Sequence, residues 1–235
     1  MHLSRSHLFI MLAVLALLPS VLMAQADTAA SHFDKGVAAL QAGNTKQAAV
    51  EFKKVIELDP KNVGAYVNLS KLALYSRDVK SAETYLNKAV AITPKDAKLQ
   101  LMLGQIYLQT GRKDQGIATL KKALALDPKL TEAHLGLGVM YSMDRKLPEA
   151  EKEFRAVIQY EPKNQEAQFN LGSILASEGK FKEAAAAFQV MTQLDPKNAH
   201  YWYALGACQA QSGNATAGIE NLKKAVSMSP KSEEY

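Results

Sequence analysis

Six of the eight prolines in this 235-residue chain, Pro60, Pro94, Pro128, Pro162, Pro196 and Pro230, stand 34 residues apart. A fixed period of this length is the mark of a chain built by stacking one small structural unit. Placing proline at position 32 of the period gives six blocks, 29–62, 63–96, 97–130, 131–164, 165–198 and 199–232, covering 204 residues with no insertion or deletion. Lysine follows each of these prolines, and eleven of the thirteen glycines fall at positions 8, 15 and 20 of the same frame.

Between these marks the apolar spacing is helical. In the third block Leu99, Leu103, Ile106 and Tyr107 form one stripe before Gly111, and Ile117, Leu120 and Leu124 form another before Asp127-Pro128. Each block therefore reads as helix A, a short turn and helix B. Glycine at position 15 reads as a helix stop in left-handed geometry. Glycine at position 8 lies inside helix A, where it costs about 1 kcal/mol against alanine, so close helix approach must compensate. Proline at position 32 ends each block, and Thr28, Asn62, Asp96, Thr131, Asn164 and Asn198 stand at or beside the N-cap of the next helix.

These residues resemble the tetratricopeptide repeat family. Small residues at positions 8 and 20, Leu69, Leu103, Leu137, Leu171 and Leu205 at position 7, bulky residues from Phe52 to Leu222 at position 24, and proline at 32 carry the resemblance. The aromatic positions are thinner: position 4 is tryptophan only at Trp202, and position 11 is tyrosine only at Tyr107 and Tyr141. The resemblance implies an all-α, right-handed α-solenoid of six helix-turn-helix units, with helix A lining a concave groove. It also implies that ligands meet positions 2, 5, 6, 9, 12 and 13. The residues expected to form a peptide-binding groove are Phe33, Val67, Asn68, Lys71, Leu101, Gln105, Leu135, Phe169, Asn170 and Tyr203, with Tyr75 and Met143 on the same face. A surface that is mostly apolar but interrupted by amides suits an extended peptide, whose backbone can pair with Asn68 or Asn170. For any one of these residues, ordinary packing is an equally weighted reading. Position 5 is apolar throughout, which disfavours the terminal-carboxylate clamp of chaperone-binding members.

No catalytic constellation is legible. The chain contains no H-E-x-x-H, G-x-S-x-G or G-x-x-x-x-G-K-[ST], and Gly136-Leu137-Gly138 lies within a helix. His32, His134 and His200 fall in different repeats, so no metal site is expected, and no cofactor. Glu149, Glu151 and Glu153 sit around the first turn of one helix B after Pro148, where the helix dipole alone accounts for them. Cys208, the one cysteine, occupies position 10 on a core stripe and is expected to be a buried, inert thiol. The chain therefore reads as a non-enzymatic scaffold for a protein or peptide partner.

Residues 1–26 read as a cleavable secretory signal: Arg5, then the apolar run Leu8–Leu18, Pro19, and Ala24-Gln25-Ala26, with cleavage expected after Ala26 and the alternative after Ala24. This predicts a periplasmic or secreted protein. Losing Arg5 lowers the net charge from +5 to +4, and the lysines sit on turns and helix B, so nucleic-acid binding is not expected. Beyond the sixth proline no capping helix is legible. Helix B of the last repeat, with Ile219, Leu222 and Val226, either leaves an apolar end for self-association or is covered by the stems of Lys223 and Lys224.

Overall fold

The computed structural model describes residues 28–228, so the expected signal segment and Pro230 lie outside the described residues. Twelve helices and no strand occur among the described residues, in six pairs. They are α1 (Ala29–Gln41) with α2 (Thr45–Leu58), α3 (Val63–Tyr75) with α4 (Val79–Ile92), and α5 (Ala97–Gln109) with α6 (Lys113–Leu126). The remaining pairs are α7 (Thr131–Met143) with α8 (Leu147–Tyr160), α9 (Gln165–Ser177) with α10 (Phe181–Leu194), and α11 (Ala199–Gln211) with α12 (Ala215–Met228). The chain divides into two compact units, Met1–Leu99 and Gln100–Tyr235. None of the described helices is long and apolar enough to cross a membrane.

The punctuation works as its chemistry requires. Thr28, Asn62, Asn164 and Asn198 accept a backbone N–H of the first helical turn that follows them, and Asp96 accepts from Lys98 and Leu99. Thr131 departs from this: Leu130 occupies the cap, and the Thr131 hydroxyl donates to Glu161 instead. In the Asp-Pro-Lys turns, Asp59, Asp127 and Asp195 each accept the lysine N–H two residues on, which accounts for aspartate before the proline. At position 15, Gly43, Gly111, Gly179 and Gly213 have φ of 73–92°, and Arg77 and Arg145 adopt the same left-handed region at 62° and 56°. A side chain there costs roughly 1–2 kcal/mol.

Position 8 shows why its glycines are tolerated. A Cβ on Gly138 would lie 2.8 Å from the Phe154 ring, and one on Gly36 would lie 2.8 Å from Phe52, so each pair closes by seating the position 24 ring against the bare backbone of position 8. Phe52 and Phe154 are fully buried, worth about 1.5–3 kcal/mol each from burial alone. Ser70 takes position 8 in the second repeat by donating its buried hydroxyl to the Ala82 carbonyl at 2.9 Å. Within the first unit α2 also packs on α3; within the second, α6 packs on α7, α8 on α9 and α10 on α11. Pairs thus stack on neighbours, and no pair buries its apolar stripe alone.

A further link joins consecutive repeats through position 4. Trp202 Nε1 donates to the Pro196 carbonyl at 2.9 Å, Gln168 Nε2 donates to the Pro162 carbonyl at 2.8 Å, and His134 Nε2 reaches the Pro128 carbonyl at 3.0 Å. Three different side chains supply one N–H to the carbonyl of the preceding proline. In the last three repeats the thin aromatic pattern at position 4 therefore hides a shared donor.

Candidate functional site

Helix A of each repeat buries one stripe and leaves the other open. In α9, Ala167, Gln168, Leu171, Gly172, Ile174 and Leu175 are buried, whereas Glu166, Phe169, Asn170, Ser173 and Ser177 remain accessible. In α11, Leu205, Gly206 and Cys208 are buried, and Tyr203, Ala204, Ala207 and Gln211 remain accessible. The open residues recur at positions 2, 5, 6, 9 and 13, the spacing of one helical face.

The first unit carries Phe33, Val67, Asn68 and Lys71. Phe33 stacks edge-on against Phe52 with ring centroids 5.4 Å apart, and a Cβ on Gly64 would lie 3.1 Å from its ring. It is therefore half-buried between α2 and α3, with packing as its main work. Val67 and Asn68 are half-buried and Lys71 is exposed; the Asn68 amide makes no hydrogen bond among the described residues. Tyr75, at the end of α3, is 79% exposed.

The second unit carries Leu101, Gln105, Leu135, Phe169, Asn170 and Tyr203. Leu101 is buried at 8% exposure, so its side chain offers little surface to a ligand, whereas Gln105 is exposed and Leu135 half-buried. Phe169 is held edge-on by Phe188 at 6.2 Å and tilted against Tyr201 at 6.3 Å, yet 44% of it stays open. Tyr203, 38% exposed, occupies the same position in the next repeat. Anchored on one side and bare on the other, such rings offer area at little entropic cost. The Asn170 Nδ2 donates to the Glu166 carbonyl at 2.8 Å, so its side-chain oxygen is the group left to meet a peptide N–H. Met143, 69% exposed, stands at position 13 as Tyr75 does. Both were legible as large apolar residues where other repeats have Gln41, Gln109, Ser177 and Gln211, though neither ranks among the leading contacts read from sequence. At these face positions the second unit has Glu132 and Glu166 as its formal charges.

Two features stand apart from this face. His134 and Glu153 pair at 2.6 Å, and His32 and Glu51 pair at 2.5 Å at the same repeat positions. Glu151 accepts from Arg155 at 2.8 Å and Lys180 at 3.0 Å, and Arg155 continues to Glu183 at 2.7 Å. The expectation that the helix dipole suffices for Glu151 and Glu153 is corrected accordingly: both hold specific cationic partners. With acceptors at both ring nitrogens, His134 fits the site as an imidazolium, and the Glu153 hydrogen bond raises its pKa above the ordinary value. His32 and His134 are each committed to a carboxylate, and no group of three potential metal ligands occurs among the described residues. Cys208 is buried, and burial raises its thiol pKa, as an inert core thiol requires.

Comparison with known proteins agrees with this architecture. Residues 86–199 match the family model of the cytochrome c-type biogenesis protein H TPR domain, and residues 39–89 and 199–232 match tetratricopeptide repeat models. No curated protein matches the sequence. Among solved structures, YrrB, described as a TPR protein with an unusual peptide-binding site, is 24% identical, with a TM-score of 0.66 over 77% of this chain and 93% of its own. PilF of Pseudomonas aeruginosa is 20% identical, with a TM-score of 0.69 over 88% of this chain and 94% of its own. PilW, described as a widely conserved type IV pilus biogenesis factor, is 20% identical, with a TM-score of 0.62 over 88% of this chain and 96% of its own. These likenesses concern the fold. With the repeat models following one another from residue 39 to residue 232, on a backbone of six helix pairs, the chain belongs to the tetratricopeptide repeat family.

Proposed function

We propose that this protein is a non-enzymatic docking module that holds a peptide segment of an envelope or secretion-pathway partner on its helix-A face. The observation that carries the reading is the pair Phe169 and Tyr203, which expose 44% and 38% of their surface at one repeat position while their helices are fixed beneath. Asn68 and Asn170 supply amides for a peptide backbone, and the charges Glu132 and Glu166 favour an apolar segment without acidic clusters. The description of YrrB as peptide-binding, of PilW as a pilus biogenesis factor, and the match to a cytochrome c biogenesis TPR domain favour a protein ligand in the cell envelope. Export rests on the signal read at residues 1–26; an exported protein whose N-terminus begins at Asp27 supports it, and one beginning at Met1 overturns it.

Photo-crosslinking residues at Asn68 and Phe169 in the exported protein are expected to capture one partner. Capture only from helix-B residues such as the exposed Lys122 would overturn the assignment. A second reading, self-association through α12, is favoured by Ile219 and Val226, which are 52% and 46% exposed. A mass that rises with concentration and returns to the monomer in Ile219→Glu supports it; a mass constant across concentration rejects it.

A further inference from the structure

The first unit holds a cavity of about 260 Å³ walled by α2, α3 and α4, whose origin is visible in the repeat pattern. Its floor is Leu69, Leu72 and Ala73, its sides are Ala49 and Tyr85, and Tyr75 stands at its edge. Ala73 occupies position 11 of the second repeat. At position 11 of the fourth repeat the residue is Tyr141, 8% exposed, with the ammonium of Lys121 over its ring at 5.7 Å to the centroid. The counterpart of Lys121 in the second repeat's surroundings is Lys53, which lines the cavity, and the counterpart of Ala49 is the larger Ile117. The fourth repeat's tyrosine and the third repeat's isoleucine thus fill the place that Ala73 and Ala49 leave hollow between the second repeat and the first.

A cavity at this place forgoes dispersion contacts and costs stability unless a guest supplies the missing ring. Its size, below the roughly 300–1,000 Å³ of sites for drug-sized ligands, suits one ring. Two lysines, Lys46 and Lys53, line it, and neither has an ion-pair partner among the described residues. Asp78, the one carboxylate of the lining, is committed as the N-cap of α4, accepting from the Ser81 N–H at 3.1 Å. The cavity therefore has an apolar floor and unpaired positive charge beside it.

We infer that this cavity is a second binding site, which takes an aromatic side chain of a protein segment with a carboxylate next to it. The tyrosine that fills the equivalent place in the fourth repeat shows the ring's shape, and the lysine over that ring shows how the cation is used. The site is independent of the helix-A reading: crosslinking at Asn68 tests that face, and either result leaves the other standing.

The test is titration of the full exported chain, followed by NMR methyl shifts of Ala49, Leu72 and Ala73. The probes are N-acetylphenylalanine, its uncharged amide, and a short peptide with phenylalanine next to glutamate. Saturable shifts confined to the cavity are expected, with the amide weaker by about two- to fivefold, the scale of an exposed ion pair. The peptide is expected to bind more tightly than the free acid; the reverse order would assign the site to free aromatic acids and overturn the partner. Ala73→Tyr, which copies Tyr141, is expected to abolish the shifts with an unchanged helical spectrum, and Ala49→Ile, which copies Ile117, serves as the second filler. Binding undiminished in either folded variant, equal binding of acid and amide, or no saturable shifts with any probe overturns the proposal.

Discussion

The second and fourth repeats share a backbone and differ in what occupies one place within it. Both carry a left-handed arginine at position 15 and a large exposed apolar residue at position 13, Arg77 with Tyr75 and Arg145 with Met143. At position 11 they part: Ala73 leaves a cavity, whereas Tyr141 is buried under Lys121. The contact of the fourth repeat with the third adds an ion pair between Asp144 and Lys113, at positions where the second repeat and the first have Ser76 and Thr45. One 34-residue frame therefore supports a closed version and a hollow version of the same contact. What separates them is side-chain volume, since the helices themselves are retained.

The largest expected effect comes from making the closed repeat hollow. Tyr141→Ala should destabilise the second unit by about 3 kcal/mol, the usual scale for losing a buried ring, read as a lower midpoint in urea denaturation. The reverse exchange should be milder: Ala73→Tyr should raise stability by about 1 kcal/mol, as cavity-filling substitutions commonly do, and a loss instead would show that the second repeat cannot accept the ring. Relief of the strained turns should treat both repeats alike. Arg77→Gly and Arg145→Gly are each expected to gain about 1 kcal/mol, and a loss at one alone would reveal a contact of that arginine that outweighs the strain.

The smallest effect concerns protons, and it falls on the histidine–glutamate pairs of the fourth and first repeats. His134 is held charged chiefly by its hydrogen bond to Glu153, so its pKa in the folded protein lies above the ordinary 6.5. Its stabilisation is complete below 6.5 and is lost as pH rises through the folded value. His134→Gln, which copies Gln168 and its hydrogen bond to the preceding proline carbonyl, should remove that slope from thermal melts above pH 6.5 while keeping the repeat folded. Glu51 runs the other way: its hydrogen bond to His32 lowers its pKa, so its contribution is present above 4.5 and is lost as pH falls through the folded value.

The helix pairs and their stops were readable because glycine and proline at fixed intervals are backbone statements, and backbone statements are local. The N-caps at Thr28, Asn62, Asn164 and Asn198 were readable for the same reason. Arg77 and Arg145 were not, since nothing in an arginine announces positive φ; only the frame, with glycine at position 15 elsewhere, hinted at it. The donor at position 4 was hidden because histidine, glutamine and tryptophan look unrelated until each is seen offering an N–H to a proline carbonyl. Of the face residues, Phe169 and Tyr203 lie open and Leu101 lies buried, a distinction that depends on neighbours distant in sequence and so is absent from the helical spacing.

The seat that glycine at position 8 makes for the bulky side chain at position 24, or the hydrogen bond that Ser70 makes to Ala82 in its place, lies wholly inside one repeat. Each 34-residue block therefore carries its own lock, and a duplicated or deleted block brings or removes lock and key together. A lineage of such chains can change length in whole periods without re-fitting the pairs that remain. Surfaces between blocks are then free to diverge, and that is where Ala73 and Tyr141 differ.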